Sequence, residues 1–284
     1  MSESDSGGDA GPDVDVAAAI EAVGAAEPLV NSVTNNVTVN DVANVTLHWG
    51  GLPVMSDDER EVAEMVAGAD ACLLNMGTVD EAGEATMLAA GEAANDAGVP
   101  LVVDPVGMGA TPTRTRVGSR LLEELDVTIV KGNHAEISAL AGEDAEVRGV
   151  ESVGEYADVA EAALSCAREY GAVAVASGET DVVAGPEAAY EVSAGDEMMG
   201  RVVGTGCMLG VTLATFGAGV GVERPLEAAL SGAVAFGLAG ERAAADGEWN
   251  GPASYRIAFL DAVAGMRSDP PESGTDRVER VLSA

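Results

Sequence analysis

Apolar and polar residues follow two recurring patterns along the chain. Short apolar runs predict buried strands, and longer segments with apolar residues at helical spacing predict amphipathic helices. Strands are expected within 28–36 and at 52–55, 71–75, 99–104, 127–130 and 172–176. Helices are expected at 14–26, 39–49, 57–67, 80–97, 116–125, 135–141 and 156–170. Because the two kinds of segment alternate, we predict an α/β fold with a mostly parallel sheet and helices on both faces.

Two helix boundaries carry specific signals. Gly50 and Gly51 are predicted to end helix 39–49, because glycine adopts the left-handed conformation that closes many helices. Ser56 is predicted to cap the start of helix 57–67 with its hydroxyl. With these boundaries, the predicted strand at 52–55 lies between the end of one helix and the start of the next.

The pattern changes after residue 177. Segments 181–184 and 188–192 predict a pair of short antiparallel strands at the sheet edge, and three helices rich in small residues are expected between 208 and about 266. The chain length suits one large domain. We predict a single domain over 14–267, a disordered acidic tail at 1–13 and a polar, loosely packed end at 268–284.

A glycine-rich loop precedes the first of those three helices. Gly204 and Gly206 allow an anion to approach the backbone, and the free N–H groups of the following helix favour a phosphate there. Cys207 falls in the first turn, where the helix dipole favours a thiolate that can accept a proton. The alternative is a tight turn into the helix, with Cys207 as a small core residue.

Polar residues follow several of the predicted parallel strands. In an open parallel sheet, ligands bind beyond the carboxyl ends of the strands, so these residues are expected at one edge. A carboxylate, a cation and a helix N-terminus together suit phosphoryl transfer with Mg²⁺. The residues are Asn35, the run 76–78, Asp104, Lys131, Asn133, Glu136 and Ser177.

Each of these residues also has a purely structural interpretation. Asp104 precedes a proline and fits a turn, and Asn133 with Glu136 fits a capping box, which is favoured over metal binding on this segment alone. His48 and His134 lack a second ligand at metal spacing. Lys131 is harder to explain structurally, since it is the chain's single lysine and follows a strand.

The net charge of −34, from 48 acidic and 14 basic residues, disfavours nucleic-acid and anionic-membrane partners. An acidic, lysine-poor chain with 3% aromatic residues resembles proteins of extreme halophiles, whose concentrated salt screens such a charge. No calcium-loop motif competes with this explanation. The acidic N-terminus, the widely spaced cysteines and the lack of a long apolar run predict a cytoplasmic protein.

Seven segments, taken in order, resemble the signature motifs of the hydroxyethylthiazole kinase family. They cover nearly the whole chain except its two ends: 31–36, 51–55, 74–78, 103–111, 130–137, 177–181 and 203–208. The resemblance implies the ribokinase-like fold, and ATP- and Mg²⁺-dependent phosphorylation of the alcohol of 5-(2-hydroxyethyl)-4-methylthiazole toward thiamine. It also implies a homotrimer with active sites between subunits.

The same resemblance implies the site residues. Cys207 would be the catalytic base, and Met55, Gly204 and Asn35 would bind the substrate. The nucleotide would contact Lys131, Ser177, Gly206 and Thr205, and Mg²⁺ would be held through water by Asp104 and Glu136. Two residues depart from the family pattern: Lys131 replaces an arginine and Ser177 a threonine, which affects how phosphate is bound.

Other functions remain open on the sequence. Hydroxymethylpyrimidine kinase and nucleotide-dependent NAD(P)H-hydrate dehydratase share the implied fold, although cysteine in place of aspartate at Cys207 argues against both. A non-catalytic nucleotide-binding protein on that fold is an alternative of another class. A dehydrogenase is disfavoured, because Gly204 and Gly206 lie late in the chain and lack a third glycine.

Overall fold

The computed structural model describes residues 12, 14–142, 156–247, 249–271 and 273–283. The predicted acidic tail lies outside the described residues apart from Pro12. In chain order the first part contains α1 (Val16–Ala26), β1 (Leu29–Val33), α2 (Val39–Trp49), β2 (Leu52–Val54), α3 (Val62–Val66), β3 (Ala71–Asn75), α4 (Glu81–Ala97), β4 (Leu101–Asp104), α5 (Pro112–Glu124), β5 (Ile129–Asn133) and α6 (His134–Leu140).

The second part begins with the predicted helix before β6. It contains α7 (Tyr156–Tyr170), β6 (Val173–Ser177), β7 (Asp181–Ala184), β8 (Ala188–Val192), a 3₁₀ turn (Glu197–Arg201), α8 (Thr205–Val220), α9 (Pro225–Asp246), α10 (Pro252–Gly265), a second 3₁₀ turn (Thr275–Arg277) and β9 (Val278–Ser283). Among the described helices, none is long and apolar enough to cross a bilayer.

One sheet of nine strands organises the described residues. Its order is β2-β1-β3-β4-β5-β6-β7-β8-β9. The first six strands in this order are parallel, and the pairings β6–β7, β7–β8 and β8–β9 are antiparallel. The predicted mostly parallel sheet is therefore confirmed.

The sheet separates two hydrophobic cores. Leu73 of β3 belongs to the core under α1, α2, α8, α9 and α10, whereas Cys72 and Leu74 belong to the core under α3 to α7. Because both faces of β3 are covered, its residues 71–74 are apolar without interruption. The helices form a layer on each side of the sheet, which gives the three-layer sandwich.

Two local predictions were wrong. The helix expected at 57–67 is shorter than predicted: α3 covers only Val62–Val66, and Glu61, not Ser56, is its N-cap residue. The backbone N–H of Ser56 donates to Asn31 Oδ1 (3.3 Å), and the Ser56 hydroxyl donates to Glu61 Oε1 (2.8 Å). These bonds tie Ser56 to β1, and turns occupy the residues before α3.

The second wrong prediction concerns the C-terminal end. Residues expected to be loosely packed form β9, which pairs with β8, so the strand at 188–192 is not at the sheet edge. On β9, Val278 and Leu282 pack on the two cores while the alternate positions are exposed. The β8–β9 register shifts between Ala189 and Tyr190, which turns Leu282 to the opposite face from Val278. The segment therefore carries no simple alternation that would predict a strand from the sequence.

Candidate active site

The glycine-rich loop leads into the N-terminus of α8. Gly204 is the N-cap residue and has a positive φ of 97°, a conformation that favours glycine. A Cβ at Gly204 would lie 2.6 Å from Thr38 Cγ2, so the loop packs directly on the start of α2. No side chain caps α8, and the first N–H groups of a helix have no partner within it. These groups are open to an anion.

Thr205 and Cys207 occupy the first turn of α8. The Thr205 hydroxyl donates to the carbonyls of Met199 (3.1 Å) and Val202 (3.3 Å), which fixes the loop to the preceding 3₁₀ turn. Cys207 is half-buried, whereas Cys72 and Cys166 are buried. Burial raises the pKa of both buried thiols to about 12, which keeps them protonated and unreactive. Cys207 is thus the accessible thiol.

A buried ion pair lies beside this turn. Asp104 ends β4 and Lys131 lies on the neighbouring β5, and their charged atoms are 3.5 Å apart with exposures of 0% and 3%. Burial raises the pKa of Asp104, opposed by Lys131 and reinforced by Glu136. Burial alone lowers the pKa of Lys131, but the charges of Asp104, Glu136 and Cys207 outweigh it and the pKa is raised. Lys131 is therefore a charged ammonium.

The ammonium of Lys131 reaches the start of α8. A Cβ added to Gly206 would lie 3.0 Å from Lys131 Nζ, and one added to Gly210 would lie 3.5 Å from Asp104 Oδ2. Both glycines therefore make room for the ion pair against the helix backbone. The helix N-terminus, the ammonium and the Asp104 carboxylate converge on one point.

A chain of amides connects Cys207 to Asp104. Asn35 Nδ2 donates to Cys207 Sγ (3.4 Å) and to Asn75 Oδ1 (2.9 Å), and Asn75 Nδ2 donates to an oxygen of Asp104 (2.7 Å). Asn35 and Asn75 are both buried. Asn75 was not predicted as a site residue from the sequence, although Asn75 ends β3 in the same way that Asp104 ends β4.

Glu136 makes the capping box that was the structural alternative. Its Oε2 accepts from Asn133 N (2.7 Å), and the Asn133 side chain accepts from Glu136 N (2.9 Å). Its Oε1 accepts from Gly107 N (2.6 Å), so the carboxylate also holds the loop after β4. The acid is committed to structure, but each of its oxygens has a further lone pair.

The two carboxylates, Asp104 and Glu136, are the candidate ligands of a metal ion. Over the described part of the chain, no cluster of three or more cysteine, histidine or acidic side chains could hold an ion. Asp104 and Glu136 are close enough for the charge of one to affect the other. Mg²⁺ keeps several waters and takes one or two carboxylates with phosphate oxygens, so two carboxylates fit Mg²⁺ held through water.

The other predicted residues have the following contacts. Ser177 ends β6 opposite Asn133, and its hydroxyl donates to Gly132 O (3.2 Å). Met55 follows β2 and, like Cys207, packs against the core under α8. His134 Nε2 lies 3.0 Å from Thr180 O, next to the turn after β6.

Arg114 of α5 was not predicted from the sequence. Its guanidinium donates to the carbonyls of Met76, Gly77 and Val106 at 2.5–3.0 Å, joining the loops that follow β3 and β4. No local pattern in the sequence marks this residue, because its three partners lie on two separate loops. Arg114 holds together the walls of the site.

The class of protein follows from a likeness to solved structures. The chain matches a ribokinase-like superfamily protein from Enterococcus faecalis with a TM-score of 0.61 and 13% identity, over 84% of this chain and 87% of that one. At this identity the likeness shows the fold alone. The fold is the ribokinase-like sandwich that the family resemblance implied.

Closer relatives identify the family. A structure of hydroxyethylthiazole kinase from Pyrococcus horikoshii OT3 matches with a TM-score of 0.81 and 34% identity, covering 94% of this chain and 99% of that one. The hydroxyethylthiazole kinase of Natronomonas pharaonis is 70% identical over 270 residues, 95% of this chain and 97% of that one. The model of the Hydroxyethylthiazole kinase family matches residues 20–269. This chain therefore belongs to the hydroxyethylthiazole kinase family.

Proposed function

We propose that this protein transfers the γ-phosphoryl group of ATP to the hydroxyl of 5-(2-hydroxyethyl)-4-methylthiazole, a salvage step toward thiamine. Family membership over residues 20–269 supports the substrate and the donor. The observation that carries the proposal is the convergence of Cys207, the N-terminus of α8 and the Lys131–Asp104 pair on one point. Phosphoryl transfer needs this combination of a base and donors to anionic oxygens.

The proton of the substrate alcohol passes to Cys207 Sγ as the alcohol oxygen attacks the γ-phosphorus in line. The bond from the γ-phosphorus to the β–γ bridging oxygen breaks, and ADP leaves with that oxygen. The N–H groups at the start of α8 and the Lys131 ammonium stabilise the negative charge that develops on the phosphoryl oxygens. Lys131 and Ser177 contact the nucleotide, together with Gly206 and Thr205. Lysine binds phosphate as a point charge where arginine would bind it in a bidentate manner.

Asp104 and Glu136 would hold Mg²⁺ through water. When bound, the ion neutralises the charge of the phosphate oxygens. In the protein itself, the buried Lys131 ammonium opposes the repulsion between the two carboxylates. On the acceptor side, Met55 and Gly204 line the substrate pocket, and Asn35 lies beside Cys207, to which its Nδ2 donates.

We propose further that the protein is a homotrimer with the site between copies. Val37 and Val203 are 68% and 74% exposed; Val37 lies two residues after Asn35, and Val203 directly precedes Gly204. Leu52, on the edge strand β2, is 48% exposed. Large exposed apolar side chains beside a site support burial by a second copy.

The net charge of −34 supports a working environment of concentrated salt, where the charge is screened. We propose that this environment is the cytoplasm of a halophile. Assays of the protein therefore belong in molar KCl. In dilute buffer the negative charges are not screened, so a low activity there would report their repulsion and not the chemistry of the site.

The test measures ADP release by the purified protein in molar KCl with ATP and Mg²⁺. The acceptors compared are the thiazole alcohol, hydroxymethylpyrimidine and none. We expect release that depends on the thiazole alcohol, with the phosphorylated thiazole detected by mass spectrometry. Release with hydroxymethylpyrimidine alone would contradict the proposal. ATP binding without turnover of any acceptor would indicate the non-catalytic alternative.

A further inference from the structure

The contact of Asn35 with Cys207 has a direction that the backbone determines. Asn35 Oδ1 accepts from the backbone N–H groups of Val37 (3.0 Å) and Thr38 (3.1 Å). A backbone N–H can only donate, so the oxygen of this amide must face α2. The Nδ2 group must then face Cys207 and Asn75.

The next amide in the chain is oriented by the same kind of contact. Gly77 N donates to Asn75 Oδ1 at 3.0 Å, so the oxygen of Asn75 faces Gly77 and Asn35. Its Nδ2 group therefore donates to Asp104. The whole chain from Cys207 to Asp104 has one polarity, set by three backbone N–H groups.

The hydrogen-bonding capacity of the Asn35 side chain is used completely. The oxygen has two acceptor sites, filled by Val37 and Thr38, and Nδ2 has two hydrogens, directed at Asn75 and Cys207. Asn35 is 4% exposed. A substrate could bond to this amide only by displacing a partner that the fold already provides.

We infer that Asn35 is a positioning residue that acts through Cys207, holding its sulfur as a hydrogen-bond acceptor beside the reacting hydroxyl. Because Nδ2 donates to the sulfur, any thiol hydrogen must lie on a side that does not face Asn35. A thiolate accepts this bond with the added strength of its charge. The inference rests on the proposed function, in which Cys207 takes the proton of the alcohol.

Packing holds the amide in this position from the opposite side. A Cβ added to Gly77 would lie 2.8 Å from both Cβ and Nδ2 of Asn35. The loop after β3 thus leaves no space for the amide to swing away from Cys207. Gly77 is not one of the described glycines with a positive φ. An alanine at this position is therefore disfavoured by its contact with Asn35 and not by its backbone conformation.

The first test is Asn35→Asp, which keeps the shape and the bonds to Val37 and Thr38 but presents an oxygen to the sulfur. We expect kcat to fall about tenfold or more. KM for both substrates should stay within a few-fold. Asn36→Asp is the matched control, since Asn36 is the exposed neighbour and the change adds the same charge. It should leave kcat unchanged.

A second measurement follows the sulfur without substrate. Iodoacetamide alkylates the thiolate, and the rate at Cys207 can be read by mass spectrometry of the whole protein. We expect a several-fold slower rate in Asn35→Asp than in the wild type or Asn36→Asp. Buried Cys72 and Cys166 report on the fold, because they become labelled only when it opens.

Gly77→Ala provides an independent variant in case Asn35→Asp does not fold. It should displace the amide and reduce both kcat and the alkylation rate, by less than Asn35→Asp. An unchanged or faster alkylation rate in the folded variants would overturn the inference. So would an Asn35→Asp variant with normal kcat and a raised KM for the thiazole alcohol, which would make Asn35 a direct substrate contact.

The two readouts separate this inference from the proposed function. If the wild type does not phosphorylate the thiazole alcohol but Asn35→Asp slows alkylation, the positioning of Cys207 stands and the substrate assignment fails. If the wild type is active and alkylation does not respond to Asn35, the function stands and the positioning fails.

Discussion

The two ends of the sheet differ in what their strands present. The parallel strands β3 and β4 end side by side on Asn75 and Asp104, next to Lys131 of β5. The antiparallel strands β7 to β9 instead complete the two cores, as the packing of Leu282 illustrates. Asn75, Asp104 and Lys131 thus form a polar site at the parallel strands, whereas the antiparallel strands of the same sheet contribute to the hydrophobic cores.

Strand direction explains this difference. Parallel strands all end at the same edge, so residues far apart in sequence meet there. Successive antiparallel strands have their carboxyl ends on opposite sides of the sheet, so the side chains at those ends are kept apart. Chemistry is therefore expected to be sensitive to changes at the parallel edge, and stability alone to changes at β9.

The largest expected effect is on turnover in Cys207→Ala. Removing the proton acceptor should lower kcat by roughly 10²- to 10⁴-fold while ATP binding changes little. Cys166→Ala is the matched control, because this buried thiol lies in the other core. Steady-state kinetics and nucleotide titration measure both. An unchanged rate would remove the cysteine from the mechanism.

The next effect concerns the buried ion pair. Lys131→Met leaves Asp104 without its counter-charge, and breaking a buried pair costs about 3–5 kcal/mol of unfolding free energy. The double variant Lys131→Met with Asp104→Asn should recover most of this loss, because no charge is then buried alone. Urea unfolding in molar KCl measures both. Equal stability of the single and double variants would contradict the expectation.

Arg280→Met provides the comparison at the antiparallel end. Arg280 lies over the Tyr190 ring, with its guanidinium carbon 5.6 Å from the ring centre. We expect a smaller loss of unfolding free energy than in Lys131→Met, about 1 kcal/mol or less, because the contact is only partly buried.

Gly206→Ala at the helix start is expected to weaken nucleotide binding. The added methyl would lie 3.0 Å from Lys131 Nζ and should push the ammonium away from the phosphate, raising KM for ATP about tenfold. Gly200→Ala is the control, because a Cβ there meets nothing within 4 Å. If the two variants have the same KM, Lys131 does not bind the nucleotide from this position.

The smallest effect is expected at β9. Leu282→Ser removes a half-buried apolar side chain and should reduce the unfolding free energy by about 1 kcal/mol without changing kcat. Val281→Ser, on the exposed face of the same strand, should change it less. A loss of turnover in Leu282→Ser at a temperature where it is folded would show that the two ends of the sheet are coupled.

The sequence determined most of the elements and the edge at which the site lies. Helices α2 and α7 and strands β3, β7 and β8 have the predicted bounds, because their apolar periodicity is long or their ends carry glycine or polar residues. Gly50 closes α2 in the left-handed conformation, as predicted. These features depend on local backbone preferences, which a sequence carries directly.

The sequence did not determine features that depend on distant partners. Ser56 has the composition of a cap, yet its backbone is bonded to Asn31 and α3 begins later. The segment of β9 is polar and short, and it becomes a strand only because β8 offers an open edge. Tertiary contacts overrode local propensity in both places.

For the site, the edge of the sheet and the family motifs could be predicted from the sequence, but the connections between residues could not. Only the folded chain shows that Lys131 pairs with Asp104 and that Asn75 and Arg114 belong to the same centre. The physical reason is that strand direction is encoded locally, through alternating strands and helices. The pairing of side chains across strands depends on register, burial and backbone N–H groups that come together only in the folded protein.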